Sequence, residues 1–225
     1  MKRFIVFDFD GVLADSELLA NAVLAEAITE LGMPMTADDS LRIFVGKRFG
    51  EVIATVEATV GRKLPADFAE AFQRRTLERF RAELRLVEGA RAYIEAFSNV
   101  PRCIASSSSP DRLALCLDVL HLTELFGPQV FSASHVARGK PHPDIFLYAA
   151  ERMGFDPRDA LVIEDSAGGV QAAVAAGMTV MGLLAASHIR QGHAERLKAA
   201  GAHYVAATFA EAETISRRLL TQSPR

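Results

Sequence analysis

The chain has 225 residues, 50% of them hydrophobic and 24% charged, which is enough for one α/β domain with a smaller one inserted or appended. Its net charge of -3 argues against a nucleic-acid or anionic-membrane partner, because both are usually met by a basic face. Cys103 and Cys116 are too few for a disulfide framework and lack metal-type spacing; each sits in an apolar stretch and reads as a buried, reduced thiol.

The first element is the strand-like run Phe4-Ile-Val-Phe7. It lacks the apolar core and small-residue cleavage site of a signal peptide. From about Ser16 to Leu86 no strand pattern occurs, only amphipathic helices. Leu24, Ile28 and Leu31 share one helical face and Gly32 ends that helix. Further helices are expected from Gly50 to Val60 and from Pro65 to about Glu83. An all-helical block of this size exceeds a simple crossover, so residues 16–86 are expected to form a cap domain. Residues 1–15 and 87–225 would then form the α/β core, with hinges near Ala14-Asp15 and Val87-Gly89.

Beyond the block, short apolar runs alternate with helices. Cys103-Ile-Ala105, Val130-Phe131, Ala160-Leu-Val-Ile163, Thr179 to Leu184 and Tyr204-Val205 read as strands. They are continuous rather than alternating, as when helices cover both faces of a parallel sheet. Pro143 suits a first helical position and Gly154 a helix end. Thr208 and Glu211 have capping-box spacing before the last helix. This βαβ rhythm predicts a doubly wound parallel sheet. The most apolar window, Ala172 to Ala186, is broken by Gly177, Thr179 and Gly182 and is too short for a membrane span. A cytoplasmic protein is expected, monomeric or a small homo-oligomer.

Four strand ends carry chemistry. The first strand is followed by Asp8 and Asp10, which as alternate strand residues would lie about 6.6 Å apart on one side and flank a phosphorus-sized group. Such a pair equally fits a solvated strand end. The second strand ends at Ser106, opening the run Ser106-Ser-Ser-Ser109, whose hydroxyls and N–H groups suit an anion, or simply a helix entry. Lys140, in Gly139-Lys-Pro-His-Pro-Asp144, is a cation in a Pro-braced turn or a solvated loop lysine. Glu164-Asp165 follows the fourth strand and supplies either hard oxygen ligands for Mg²⁺ with Asp8 and the Asp10 backbone, or a helix N-cap. Acid pair, hydroxyl, lysine and acid pair at successive strand ends together point to a phosphate site.

These motifs, Asp8-Phe-Asp10-Gly-Val-Leu-Ala-Asp-Ser16, Ser106, Lys140-Pro-His-Pro-Asp-Ile-Phe146 and Glu164-Asp-Ser-x-x-Gly169, resemble those of the haloacid dehalogenase superfamily. The likeness is to its helical-cap branch, which includes beta-phosphoglucomutase and 6-phosphogluconate phosphatase. The resemblance implies a nucleophile at Asp8, a general acid/base at Asp10, a phosphate-binding hydroxyl at Ser106 and a charge-balancing Lys140. It implies a Mg²⁺ site at Asp8, Asp10, Glu164 and Asp165, with Ser107 joining Ser106 and Lys140 in holding substrate. Retention of Asp10 disfavours dehalogenation and P–C cleavage, whose enzymes replace it. A sugar phosphomutase is the alternative, but its cap histidine aligns with Ala20, its cap arginine with Phe49, and its Lys-Asn pair with Ser109-Pro110. The expected activity is Mg²⁺-dependent hydrolysis of a small phosphorylated metabolite, a sugar phosphate or phosphorylated sugar acid, through an aspartyl phosphate. The cap loop Val45-Gly-Lys-Arg-Phe-Gly50 would read the substrate through Gly46 and Lys47, or is a solvated basic turn. His188 and His193 are expected to approach the mouth of the site or to lie on the surface.

Overall fold

The computed structural model describes residues 3–44 and 49–221. Two compact units are present, Met1–Asp15 with Arg85–Arg225, and Ser16–Leu84.

The first unit is built on six parallel strands, β1 (Phe4–Phe7), β2 (Arg102–Ser106), β3 (Val130–Ser132), β4 (Ala160–Glu164), β5 (Thr179–Leu183) and β6 (Tyr204–Ala206). Their order is β3-β2-β1-β4-β5-β6. All of β1 and β4 is buried, which is why their sequences are unbroken apolar runs rather than alternations. Phe7 pairs with Ile104 on one side and with Ile163 on the other. After β1 the chain builds outward through β2 and β3, then returns to place β4 on the opposite side of β1. The winding therefore reverses between β1 and β4. A crevice at such a reversal, beyond the carboxyl ends of the strands, is where open α/β sheets bind ligands.

Seven helices belong to this unit among the described residues, numbered here after the four of the second unit. They are α5 (Ala90–Ala96), α6 (Pro110–Val119), α7 (Thr123–Phe126), α8 (Asp144–Met153), α9 (Ala167–Ala175), α10 (His193–Ala199) and α11 (Phe209–Thr221). On one face of the sheet, Phe4, Val6, Val162 and Val180 pack with Ile145 and Phe146 of α8, Val170 of α9 and Leu197 of α10. On the other, Phe7 meets Tyr93 of α5 and Phe126 of α7 edge-to-face at 5.9 and 5.8 Å, and Tyr93 also packs on Phe209 of α11. Cys103 and Cys116 are buried free thiols. Burial raises both, Cys116 up to about 12 with the Asp10 charge adding to it.

Helix ends follow the local chemistry. Gly154 closes α8 in the left-handed conformation at φ 73°, which glycine adopts without a Cβ penalty. Pro143 is the cap residue immediately before α8. At α11 the Glu211 N–H donates to Thr208 Oγ1 at 3.2 Å, while the Glu211 carboxylate accepts from Ala207 N at 2.7 Å. The return bond thus reaches one residue further back than a reciprocal capping box requires.

The second unit holds α1 (Glu17–Glu30), α2 (Ala37–Phe44), α3 (Phe49–Val60) and α4 (Phe68–Glu83). Its core is Leu24 and Ile28 of α1, Phe44, Val52 and Val56, closed by Phe68. Phe49 stacks on Phe72 at 5.3 Å. The last helix begins at Phe68 rather than at Pro65, because Pro65 and its neighbours form a turn in which Phe68 N donates to Pro65 O at 3.0 Å. A buried polar pair, Ser40 Oγ to Asn21 Oδ1 at 2.8 Å, joins α2 to α1. Bidentate Arg75–Glu30 bonds and the Arg79–Glu26 pair join α4 to α1. No helix among the described residues is long and apolar enough to cross a membrane.

Phe7→Ala would open a cavity where two aromatic edges now converge. It is expected to lower the unfolding free energy by about 3–5 kcal/mol, read by far-ultraviolet circular dichroism in a denaturant titration.

Candidate active site

The strand β1 stops at Phe7, and the two aspartates lie in the turn beyond it. They are therefore not alternate residues of one strand, as their spacing suggests. Asp8 N still donates to Ile163 O at 2.9 Å, which holds Asp8 beside the end of β4. Next, Leu13 N and Ala14 N both donate to Phe9 O at 2.9 Å, and Gly11 N donates to Ala14 O at 2.8 Å. This turn needs Gly11, whose φ is 79° and whose missing Cβ would strike the Asp165 carboxylate and lie 2.9 Å from His188 Cε1. The two aspartate carboxylates take different partners.

Asp8, Glu164 and Asp165 are all buried, and each offers a carboxylate oxygen within 4.8 Å of the others. Lys140 lies among them. Its ammonium donates to Asp8 Oδ1 at 2.5 Å and to Glu164 Oε1 at 2.7 Å, and sits 4.9 Å from the Phe146 ring centroid. The loop carrying Lys140 runs through a cis bond to Pro141 and is tied by His142 N to Gly139 O at 3.1 Å. Glu164 Oε2 accepts from Ser166 N at 2.9 Å. Ser166, not the acidic pair, is the N-cap of α9, its Oγ accepting from Gly169 N at 3.0 Å. Any Cβ at Gly169 would run into the Glu164 carboxylate.

The charges here are strongly coupled. Burial raises the Asp8 carboxyl well above the usual range; Lys140 pulls it down, and Glu164 and Asp165 push it up again. For Lys140 burial works against the ammonium, but Asp8 and Glu164 outweigh it and its pKa is raised. Three buried carboxylates converge here, two of them on the Lys140 ammonium, and hard oxygen donors converging in this way suit a divalent cation such as Mg²⁺.

Asp165 is braced from behind. His188 Nε2 lies 3.2 Å from Asp165 Oδ2, and His193 Nε2 meets the Asp165 carbonyl at 2.5 Å. Because Arg196 donates to His193 Nδ1 at 2.7 Å, the His193 ring carries its proton on Nε2 and donates it to that carbonyl. Burial first, then the Arg196 and His188 charges, lower the His193 pKa against the opposing effect of the carbonyl bond.

Asp10 faces other groups. Ser108 Oγ donates to its Oδ2 at 2.6 Å and Arg112 Nη2 to its Oδ1 at 2.5 Å. Its carboxylate is not one of the three clustered oxygen donors. Ser106 is buried and its Oγ accepts from Ser108 N at 3.0 Å, whereas Ser107 is exposed. Gly46 and Lys47 lie outside the described residues. The structure thus brings Asp8, Lys140, Glu164 and Asp165 together and sets Asp10 beside Ser108 and Arg112. Sequence reading does not single out Ser108, Arg112 or Ser166. Arg112 stands in the first turn of a helix announced by Ser109-Pro110, but nothing in that pattern says what its side chain meets.

The family model of haloacid dehalogenase-like hydrolases matches residues 2–177. The chain belongs to that family. It is 29% identical to 6-phosphogluconate phosphatase of Escherichia coli strain K12 over 82% of this chain and 83% of that protein. It is 34% identical to a phosphorylated carbohydrates phosphatase of Thermotoga maritima, over 77% of this chain and 81% of the relative. A haloacid dehalogenase family hydrolase of Deinococcus radiodurans R1, solved with bound phosphate and sodium, is 34% identical with a TM-score of 0.83, covering 99% of both chains. The chain is accordingly an enzyme, a haloacid dehalogenase-like phosphoric monoester hydrolase.

For this family member, Lys140→Met removes the ammonium and leaves the three carboxylates to repel one another. The metal-free protein is expected to lose about 3–5 kcal/mol of stability. Denaturation in the presence of a chelator checks this, and an unchanged midpoint would show that Lys140 does not balance the cluster.

Proposed function

We propose that the chain is a Mg²⁺-dependent phosphatase of a small phosphorylated metabolite, with Asp8 transiently phosphorylated. The observation that carries the reading is the buried trio of Asp8, Glu164 and Asp165 held by Lys140 where the winding of the sheet reverses.

The chemistry follows from charge. A carboxylate attacking a phosphate dianion meets like charge, so positive charge must be presented to the phosphoryl oxygens. Lys140 supplies one cation. Asp8, Glu164, Asp165 and the Asp10 backbone would hold Mg²⁺, which when bound adds positive charge at the phosphoryl oxygens. Ser106 and Ser107 orient the phosphoryl group by hydrogen bonds. An Asp8 oxygen forms a bond to phosphorus as the bond to the ester oxygen breaks, and Asp10 gives that oxygen its proton. Asp10, now a carboxylate, takes a proton from water as the water oxygen attacks phosphorus. The bond from phosphorus to Asp8 then breaks, inorganic phosphate leaves, and Asp10 is again protonated.

Residues 16–86 are read as the cap domain and residues 1–15 with 87–225 as the catalytic domain. Gly46 and Lys47 of the cap would contact the part of the substrate that does not react. The two phosphatases named above act on 6-phosphogluconate and on phosphorylated carbohydrates, which supports a sugar phosphate or phosphorylated sugar acid here. Ala20, Phe49 and Ser109-Pro110 stand where a phosphomutase of this branch has its histidine, arginine and Lys-Asn pair, which favours water as acceptor. The enzyme is read as cytoplasmic, a monomer or small homo-oligomer.

Asp8→Asn is expected to lower phosphate release from an aryl phosphate by ~10³-fold or more. A chelator should stop the wild-type enzyme and added Mg²⁺ restart it. Undiminished turnover in Asp8→Asn would remove Asp8 as nucleophile, and a panel of metabolite phosphates read by released phosphate identifies the substrate.

A further inference from the structure

Both oxygens of Asp10 accept a donor from one stretch of chain. Ser108 Oγ reaches Oδ2 at 2.6 Å and Arg112 Nη2 reaches Oδ1 at 2.5 Å. Neither donor is a floating surface group. Ser108 is fixed at its N–H by the buried Ser106 Oγ at 3.0 Å and at its carbonyl by Ser132 Oγ at 2.7 Å. Ser132 is itself buried at the end of β3. Arg112 lies in the first turn of α6, where its N–H donates to the capping Ser109 Oγ at 3.4 Å. Its side chain is only 25% exposed and that of Asp10 only 15%. The strand ends of β2 and β3 and the start of α6 are therefore all recruited to hold one carboxylate.

We infer that Ser108 and Arg112 are positioning residues that aim the Asp10 carboxyl for proton transfer, an inference that rests on the proposed acid/base role of Asp10. An aspartate in a turn has two side-chain torsions to fix, and a proton donor must be within hydrogen-bond reach of the leaving oxygen. A donor on each oxygen fixes both torsions, and a carboxylate oxygen has two acceptor sites. The serine run is accordingly divided in its work. Ser108 donates to Asp10 with its N–H held by Ser106, Ser109 caps the helix that brings Arg112, and Ser106 and Ser107 remain those proposed to meet the phosphoryl group.

The consequence depends on the leaving group. An alkoxide is a poor leaving group and needs the proton as the P–O bond breaks, whereas 4-nitrophenolate leaves without one. The measurement is kcat/KM, which reports the transfer to Asp8 and not the later attack of water, for 4-nitrophenyl phosphate and for an alkyl phosphate such as glycerol phosphate. In Arg112→Met and in Ser108→Ala, the alkyl ester is expected to lose ~10²-fold and the aryl ester much less. Arg112→Lys, which keeps a donor and a charge, should recover part of the loss on the alkyl ester. Asp10→Asn is the reference. If it spares neither ester more than the other, the acid role of Asp10 fails, and this inference with it. If it discriminates between the esters while Arg112→Met and Ser108→Ala do not, the positioning inference alone is overturned. A loss in either variant that falls equally on both esters and resides in KM makes that residue a substrate contact and likewise overturns it. Should Arg112→Met not fold, Ser108→Ala carries the test.

Discussion

Three buried carboxylates that converge beside one buried ammonium set the terms for the rest of the core unit. Isolated buried charges cost several kcal/mol each, and a paired cluster persists only where the surrounding hydrogen bonds hold it. Each member of this cluster is anchored accordingly. Asp8 is tied by its backbone to β4, Glu164 by Ser166, Asp165 through the two histidines, and Lys140 lies against an aromatic ring. Two glycines, Gly11 and Gly169, are required because a methyl group at either would occupy the space of a cluster carboxylate. The convergence of three hard oxygen donors is an internal reason for a cation, independent of any relative.

The parallel sheet explains why this cluster can exist at all. Parallel strands deliver all their carboxyl ends to one edge, and the reversal of winding between β1 and β4 leaves an opening at that edge between two buried strands. Residues following β1 and ending β4 thereby meet, although Asp8 and Glu164 are far apart in the chain. Strands covered on both faces cannot slide without exposing apolar surface, so the positions of the acids inherit the rigidity of the core. Phe7, wedged between Tyr93 and Phe126, is the residue directly before the nucleophile candidate. Packing and chemistry are adjacent in sequence here because the strand carries the first and its end the second.

Much of this was legible in the sequence, for identifiable reasons. Continuous apolar runs mark buried parallel strands, and all six occur where such runs stand. Acid, hydroxyl, lysine and acid at successive strand ends are legible because parallel topology converts a linear order into a cluster. Side chains whose meaning depends on a partner were not. Arg112 sits in the first turn of an ordinary helix, and only the fold shows that this turn faces Asp10. Ser166 looks like the residue after an acidic pair, yet it is the cap, while Glu164 points inward to Lys140. The spacing of Asp8 and Asp10 suggests alternate strand residues, but β1 ends at Phe7, as its apolar run does, and both acids lie beyond it.

Asp8 and Asp10 are chemically identical side chains in two environments. Asp8 lies among carboxylates and one lysine, where burial raises it and only cations restore its charge. Asp10, two residues on, lies against a hydroxyl and a guanidinium. A pair of acids placed in contrasting surroundings is the general means by which one site gains both a nucleophile and a proton carrier. The proposed mechanism needs Asp8 ionised when substrate binds, and since burial raises it, that charge depends on Lys140 and on a bound cation. Gly11, directly after Asp10, takes a left-handed turn whose missing Cβ leaves room for the Asp165 carboxylate and His188. The two aspartates are thus told apart by the groups they meet, Lys140 for Asp8 and Ser108 with Arg112 for Asp10.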